Sequence, residues 1–477
     1  MIVTVSSLVG HRAVGSSAAP VVLTNPFTLE PICELADASA EVVDEAVRSA
    51  QHAFRTHRHD TPLQRSHWLE KCAEALQSNA DRLVDLIVSD IGKPRRAARV
   101  EVQRSIAFTR LCASQVLFLE NATPLFEASQ AGKHHVGFTR RVPYGVVGAV
   151  TPFNAPINLL MQKVAPALAA GNAVVAKPHP AGSRVAVLVA TLFAESGLPA
   201  GLLNVVVGDR NPAACLAAHD LVRVVTFTGG QSGGDALARA AGAKKFVAEL
   251  GSNSANVVLD DADITDAATR IAAAAFEASG QQCVSAQRII VEQGVMQEFL
   301  EHFLAATRAL KVGDPDDEKT DIGPVVSIAA ADRIEKLLDA TIASGARYLL
   351  APRRSGCVIS PAIIVEGDQR SPLWKHEVFG PAVTIHAAKS AQHALELAND
   401  SPYGLQGALF TDSLEQAMRF SQEFEVGSLW VNEPSRFRLD MLPFGGVKQS
   451  GHGREGVRHA IEELSQLTVT GIRIRKP

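Results

Sequence analysis

A cysteine, a glutamate and an asparagine have residue types and local settings that could do chemistry. Cys283 lies in Ser279-Gly280-Gln281-Gln282-Cys283-Val284-Ser285, a turn between a helical stretch ending near Ala278 and an extended one beginning near Arg288. A thiolate there is a nucleophile, provided nearby donors or a cation lower its pKa. A lone cysteine is more often a small buried hydrophobe. The polar flank, with no histidine near, favours a nucleophile over a metal ligand. Glu249 lies in Phe246-Val247-Ala248-Glu249-Leu250-Gly251-Ser252-Asn253. On a helix surface it would be solvated, whereas at a strand end burial would raise its pKa and suit general-base work. Asn154 lies in Thr151-Pro152-Phe153-Asn154-Ala155-Pro156-Ile157-Asn158. Its amide is placed either to reach a cleft at a strand's carboxyl end or to cap the following helix. Phe227-Thr228-Gly229-Gly230-Gln231-Ser232-Gly233-Gly234 runs from a strand into a glycine-rich turn, which frees N–H groups for a phosphate. It has neither the Gly-x-Gly-x-x-Gly spacing nor the lysine of a triphosphate loop.

The elements that must position these groups follow from apolar periodicity. Helical spacing runs from Ser39 to Ile91, through Val42, Val43, Ala46, Ala50 and Ala53, then Leu69, Cys72, Leu76, Leu83 and Leu86. A further helix is predicted over Glu101 to Leu119. Asn121 to Arg141, broken by Pro124, Gly132 and His134-His135, reads as an extended excursion. From Val146 short β-branched runs alternate with helices. Strands are predicted at Val146–Thr151, Ala173–Lys177, Val205–Val207 and Val224–Thr228, with helices starting near Pro156, Ser183 and Gly233. That alternation marks βαβ units and a parallel sheet. A second α/β region spans Asn256 to Trp430, with strands at Arg288–Val291, Ala382–His386 and Ala408–Phe410.

Composition bounds the function. At 477 residues the chain is long enough for two or three domains. With 46 Lys+Arg against 50 Asp+Glu the net charge is −4, which argues against a general nucleic-acid or membrane-surface binder. Six scattered cysteines show no metal-like or disulfide-framework spacing. No apolar run approaches the ~20 residues of a membrane span, and Met1 to Ala19 lacks a secretory pattern. A cytoplasmic protein with reduced thiols and no metal is expected.

Together these stretches resemble the aldehyde dehydrogenase superfamily from end to end. The matching motifs are Phe153-Asn154-Ala155-Pro156, Ala176-Lys177-Pro178, Phe227-Thr228-Gly229, Glu249-Leu250-Gly251, Gly280-Gln281-Gln282-Cys283, Glu377-Val378-Phe379-Gly380-Pro381 and Pro443 through Gly451. The interval of 34 residues from Glu249 to Cys283 also fits. The resemblance implies that Cys283 attacks an aldehyde, that the Asn154 amide and the Cys283 N–H hold the oxyanion, and that Glu249 activates water. Lys163 and Glu455 match a proton relay to that base. For the cofactor, NAD or NADP, the resemblance implies contacts along Thr151, Pro152, Lys177, His179, Pro180, Phe227, Thr228, Gly229, Gly230, Gly233, Glu249, Leu250 and Gly251. Lys177 would bind the adenine ribose, Glu377 the nicotinamide ribose, and Phe379 would pack beside the nicotinamide.

Departures from the pattern bear on specificity. Pro180 stands where NAD-preferring relatives often have a glutamate that repels a 2′-phosphate, so either cofactor is expected. Gly230 replaces a serine and removes one hydroxyl contact to the pyrophosphate. Arg104 matches an arginine facing the substrate's anionic end in the branch of lactaldehyde, phosphonoacetaldehyde and non-phosphorylating glyceraldehyde-3-phosphate dehydrogenases. The stretch around Arg436 resembles that branch too. An arginine's planar fork suits phosphate or carboxylate; alternatively both arginines make ion pairs. Gln282 replaces an arginine found before the nucleophile in several phosphate-type relatives. With Asn158 and Val284, these residues form the expected contacts for a small polar or anionic aldehyde.

The fold expected from the resemblance is α/β, the aldehyde dehydrogenase fold. A Rossmann-like dinucleotide-binding domain would comprise 1–120 and 142–249, and an α/β catalytic domain 250–448. A small β oligomerisation element would comprise 121–141 and 465–477, giving a homodimer or homotetramer. Its strand Leu467–Ile474 would set Thr468, Thr470, Ile472 and Ile474 on one face for pairing with another subunit. The product would be a carboxylic acid formed through a thiohemiacetal and a thioester. The alternative is a coenzyme-A-acylating semialdehyde dehydrogenase, whose members commonly lack the carboxylate at Glu249.

Overall fold

The computed structural model describes residues 3–119, 121–365 and 371–475. Residues 1, 2, 120, 366–370, 476 and 477, which the expected domain ranges include, lie outside the described residues.

Two large sheets organise the chain. The first has eight strands in the order Gly451–His452, Lys245–Glu249, Val222–Thr228, Val146–Thr151, Ala173–Pro178, Leu203–Val205, Ser7–Val9 and Arg12–Val14. Its five middle strands run parallel, while Gly451–His452 and the Ser7–Val9/Arg12–Val14 hairpin are antiparallel edges. Every residue of Val146–Thr151 and Ala173–Pro178 is buried, as expected of strands covered by helices on both faces. The helix Asn158–Ala170 is buried all round, between the helices Arg95–Gln115 and Val457–Glu463.

The second sheet has seven strands in the order Arg347–Leu350, Ala362–Val365, Ala382–Ala388, Arg288–Glu292, Ala255–Val258, Gln406–Phe410 and Ser428–Val431. All its pairings are parallel except the first. Phe276, Phe299, Phe303 and Phe410 fill the core on one face of it, and Trp374 and Phe420 that on the other.

Several boundaries differ from the sequence reading for physical reasons. The helix predicted from Glu101 to Leu119 spans Arg95–Gln115. Its first two turns carry Arg95, Arg96 and Arg99, whose charges are met by Asp85, Asp316, Asp321 and Glu318 from other segments. The helices expected near Pro156 and Gly233 start at Asn158 and Gln231, and the strand expected at Val205–Val207 is Leu203–Val205. The excursion after Asn121 ends in the strand His135–Pro143, which pairs antiparallel with Ser465–Arg473 along its whole length. Both faces of that ribbon carry exposed apolar residues: Ile472 and Ile474 on one, Leu467 and Val469 on the other. Residues 449–464, which fall in none of the expected domain ranges, supply the edge strand and a helix that pack with the first sheet.

Candidate active site

The segment before Cys283 is wound the wrong way for ordinary residues. After the helix Ile264–Phe276, Ala278 (φ 50°), Ser279 (φ 59°) and Gly280 (φ 67°) all take left-handed conformations. Non-glycine residues held there cost about 1–3 kcal/mol each unless surroundings enforce them. The enforcement is visible. The Ser279 hydroxyl donates to the Gly323 carbonyl (2.8 Å), and the Gln281 side-chain oxygen accepts the Val326 N–H (2.9 Å). Gly280 permits the closest approach, since a Cβ there would stand 2.1 Å from the Gly380 oxygen.

Asn154 faces this segment. It is buried, and its amide donates to the Gln281 carbonyl (2.9 Å), two residues before the nucleophile. It does not cap the neighbouring helix. Glu101 does so instead: one carboxylate oxygen accepts the N–H groups of Ile157 (3.0 Å) and Asn158 (3.2 Å), and the other meets the Lys93 ammonium. A carboxylate at a helix N-terminus also gains from the helix dipole. The turn carrying Asn154 is therefore held from both ends.

Glu249 ends the strand Lys245–Glu249 and is 2% exposed. Neither of its carboxylate oxygens has a hydrogen-bond partner among the described residues. Burial, reinforced by Glu455, pushes its pKa well above the usual carboxylate range, with Arg438, Lys163 and Arg454 opposing. Lys163 donates to one oxygen of Glu455 (3.2 Å) and to the Thr226 hydroxyl (3.2 Å), all deep in the protein. Arg438 donates to the other oxygen of Glu455 (3.2 Å). Cys283 keeps part of its surface open, yet the dense wall around it pushes its thiol up to about 12, with Glu377 and Glu249 adding to the rise. At rest the sulfur is protonated.

The residues expected to hold a dinucleotide line the carboxyl ends of the first sheet's strands. The Thr151 and Thr228 hydroxyls are buried without partners among the described residues. Gly230 precedes the helix Gln231–Ala241, whose first N–H groups receive no side-chain cap among the described residues. Gly229 donates its N–H to the Glu249 carbonyl (3.1 Å), and Gly233 and Gly234 lie beside the Phe227 ring. Burial lowers the pKa of Lys177 to about 8, against the pull of Asp209 and Asp37. His179 is at the surface, where its Nδ1 accepts the Ala181 N–H (3.2 Å) at the turn begun by Pro180. Phe153 bridges His179 and Phe379, at ring-centroid distances of 5.1 and 5.8 Å, beyond Pro152. Phe379 itself is left-handed (φ 46°), and Arg333 holds the adjacent Val378 carbonyl (2.6 Å). Glu377 accepts the Ser252 N–H (3.0 Å) and packs against Gly251, while Leu250 donates its N–H to the Ser450 carbonyl (2.9 Å). Burial raises the Glu377 pKa to about 7. Orphaned hydroxyls, an uncapped helix N-terminus and a buried ammonium fit a ligand with ribose hydroxyls and a pyrophosphate.

On the other side of Cys283 opens a cavity of about 660 Å³, part of which is its mouth. Arg104, Asn154, Asn158, Gln282, Cys283, Val284 and Arg436 all line it. Arg104 is gripped by Asp440 through Nε (2.8 Å) and Nη2 (2.6 Å), and Arg436 pairs with Glu277 (3.1 Å). Each arginine thus both faces the cavity and holds an ion pair, the two readings the sequence left open. Sequence reasoning missed Lys93, Glu101, Glu277, Arg438 and Phe444 in the same wall. Arg438 stood in the same Arg-x-Arg pair as Arg436 and could have been found there. Lys93 and Glu101 carry no local signal.

A family model described as "Aldehyde dehydrogenase family" matches residues 14–470. The chain is 37% identical over 452 residues to a 3-sulfolactaldehyde dehydrogenase of Priestia aryabhattai, covering 94% of each chain. It is 36% identical over 449 residues to a lactaldehyde dehydrogenase of Methanococcus vannielii, covering 93% of this chain and 95% of the other. Among solved structures, the NADP-dependent glyceraldehyde-3-phosphate dehydrogenase of Bacillus halodurans, complexed with NADP, superposes with a TM-score of 0.96 at 30% identity, over 99% of this chain and 100% of the other. The chain belongs to the aldehyde dehydrogenase family and is an NAD(P)-dependent oxidoreductase acting on the aldehyde group.

Proposed function

We propose that the protein oxidises a small anionic aldehyde to its carboxylic acid through a thioester on Cys283. The observation that carries this is the charge of the cavity wall. Four cations, Lys93, Arg104, Arg436 and Arg438, line it with two carboxylates, Glu101 and Glu277, while Asp440 and Glu455 meet Arg104 and Arg438 from outside the lining. Similarity to enzymes named for sulfolactaldehyde and lactaldehyde supports a small hydroxyaldehyde bearing the anion.

The raised thiol pKa means that attack by sulfur is coupled to transfer of its proton to solvent water. The S–C bond forms as the carbonyl oxygen takes up the electron pair, next to the Asn154 amide and the Cys283 N–H. A dinucleotide, NAD or NADP, would be held along Thr151, Lys177, Thr228, Gly230 and Glu377 and would supply the hydride acceptor needed to turn this adduct into a thioester. Glu249 then takes a proton from water as its oxygen attacks the thioester carbon. The thiolate leaves and the acid is released. The buried Glu249 carboxylate supports hydrolysis over acyl transfer to coenzyme A. Pro180 sets no carboxylate against a 2′-phosphate, so both cofactors serve. The apolar ribbon of His135–Pro143 and Ser465–Arg473 joins subunits in a dimer or tetramer, and the six unpaired cysteines suit a cytoplasmic setting.

A panel of short aldehydes, neutral and anionic, assayed with both cofactors and with and without coenzyme A, tests this reading. Faster turnover of the anionic members to free acid is expected. Preference for long neutral aldehydes, or acyl-coenzyme A as product, would overturn it.

A further inference from the structure

The cluster behind the catalytic base holds a group that the mechanism above does not use. Arg438 is 8% exposed on its side chain and lies between the substrate cavity and the buried carboxylates. Its guanidinium sits 3.6 Å from the centre of the Phe444 ring, which packs beside Cys283 and Val284. Phe444 and Glu455 are joined by two backbone hydrogen bonds, so the ring and the carboxylate that Arg438 touches form one rigid unit. Asp440 stands 3.4 Å from the Arg438 Nε, an ion pair without a hydrogen bond. Glu455 is thereby clamped between two cations, Lys163 on one oxygen and Arg438 on the other, each at 3.2 Å.

We infer that Arg438 is a positioning residue for thioester hydrolysis, holding the buried Glu455 carboxylate against Lys163 behind the catalytic base. This rests on the reading of Glu249 as the base. The charged and titratable groups around Glu249 come from four segments: Lys163 from the helix Asn158–Ala170, Arg438 from the 432–446 loop, Glu455 and Arg454 from the segment after Gly451, and Cys283 from the nucleophile turn. Arg104 adds a more distant positive charge near Glu455. Of the cations, Arg438 opposes the rise at Glu249 most strongly. Without it, Glu455 has Lys163 alone, and the negative charge beside Glu249 is less compensated. A carboxylate next to an uncompensated like charge holds its proton to higher pH. The sign follows: loss of Arg438 moves the acid limb of hydrolysis upward, leaving less base at neutral pH.

The test uses the full-length enzyme and p-nitrophenyl acetate, an activated neutral ester that acylates a thiol without cofactor and makes no demand on an anion pocket. After the burst of nitrophenolate, decay of the acyl-enzyme is followed from pH 5 to 9. Arg438→Met is expected to shift the acid limb up by about one pH unit. Arg438→Lys, which restores the charge, should keep the limb close to wild type. Should Arg438→Met not fold, Arg438→Gln carries the same expectation. A limb unmoved in the neutral variant, or moved equally in the lysine variant, overturns the inference. Glu249→Gln separates the two layers. If it abolishes the limb while Arg438→Met leaves it in place, only the role of Arg438 falls. If Glu249→Gln retains the limb, the base lies elsewhere and both readings fall.

Discussion

Replacing Arg104 with leucine tests how the cavity reads charge. Two of the arginine's three guanidinium nitrogens, Nε and Nη2, are committed to Asp440, which leaves Nη1 for a substrate anion. One charge-assisted hydrogen bond contributes about 1.5–3 kcal/mol. At tenfold per 1.4 kcal/mol that is roughly 10- to 150-fold in kcat/KM. The side chain is 26% exposed, so solvent screening brings the expectation to the lower end, about 10- to 30-fold. Gln162 (2.9 Å) and Arg438 (3.4 Å) still meet Asp440 at Oδ1, while Oδ2 loses its partner, so a denaturant unfolding curve accompanies the kinetics. The assay compares kcat/KM for glyceraldehyde 3-phosphate and for glyceraldehyde, which differ in the anion alone. The phosphorylated aldehyde should lose about 10- to 30-fold, and that loss should shrink at high salt. The neutral aldehyde should change less than about threefold. Equal losses on both, or an unchanged phosphorylated aldehyde, would show that Arg104 serves only its ion pair with Asp440.

Other consequences follow from the same geometry. Asn154→Ala removes one oxyanion donor and should lower kcat by about 10²–10³ with intact cofactor binding, read by steady-state kinetics and cofactor titration; a loss under tenfold would place the oxyanion elsewhere. Because burial raises the Glu249 pKa and the carboxylate is the active form, hydrolysis should gain as pH rises through values above the ordinary glutamate range. Stopped-flow acyl-enzyme decay checks this, and a flat profile from pH 5 to 9 would remove Glu249 as base. Gly280→Ala forces a Cβ to within 2.1 Å of the Gly380 oxygen at φ 67°, and should cost more than about 2 kcal/mol in denaturant unfolding. Wild-type stability and activity would mean that the nucleophile turn is free to rearrange.

The chemistry-bearing positions were largely legible in sequence because their local settings are unusual. A glutamate at the end of an apolar strand and an asparagine between two prolines are conspicuous, and the strand Val146–Thr151 begins and ends where its β-branched run does. What escaped depends on partners far apart in the chain. The helix after Asn154 starts two residues later than predicted because its N-terminus is met by Glu101, 56 residues before Ile157. The helix from Arg95 is longer at its start because its arginines meet acids more than 200 residues away. Arg438 binds Glu455 and Asp440 through the folding of one loop, and alternation of polar and apolar residues carries no sign of it.

The covalent intermediate is the most direct test. Glu249→Gln enzyme, mixed with cofactor and an anionic aldehyde and quenched in acid, should carry one acyl group, located by peptide mass spectrometry on Cys283. An acyl group on another of the six cysteines, or oxidation of aldehyde by Cys283→Ala enzyme at the wild-type rate, would contradict the thioester mechanism.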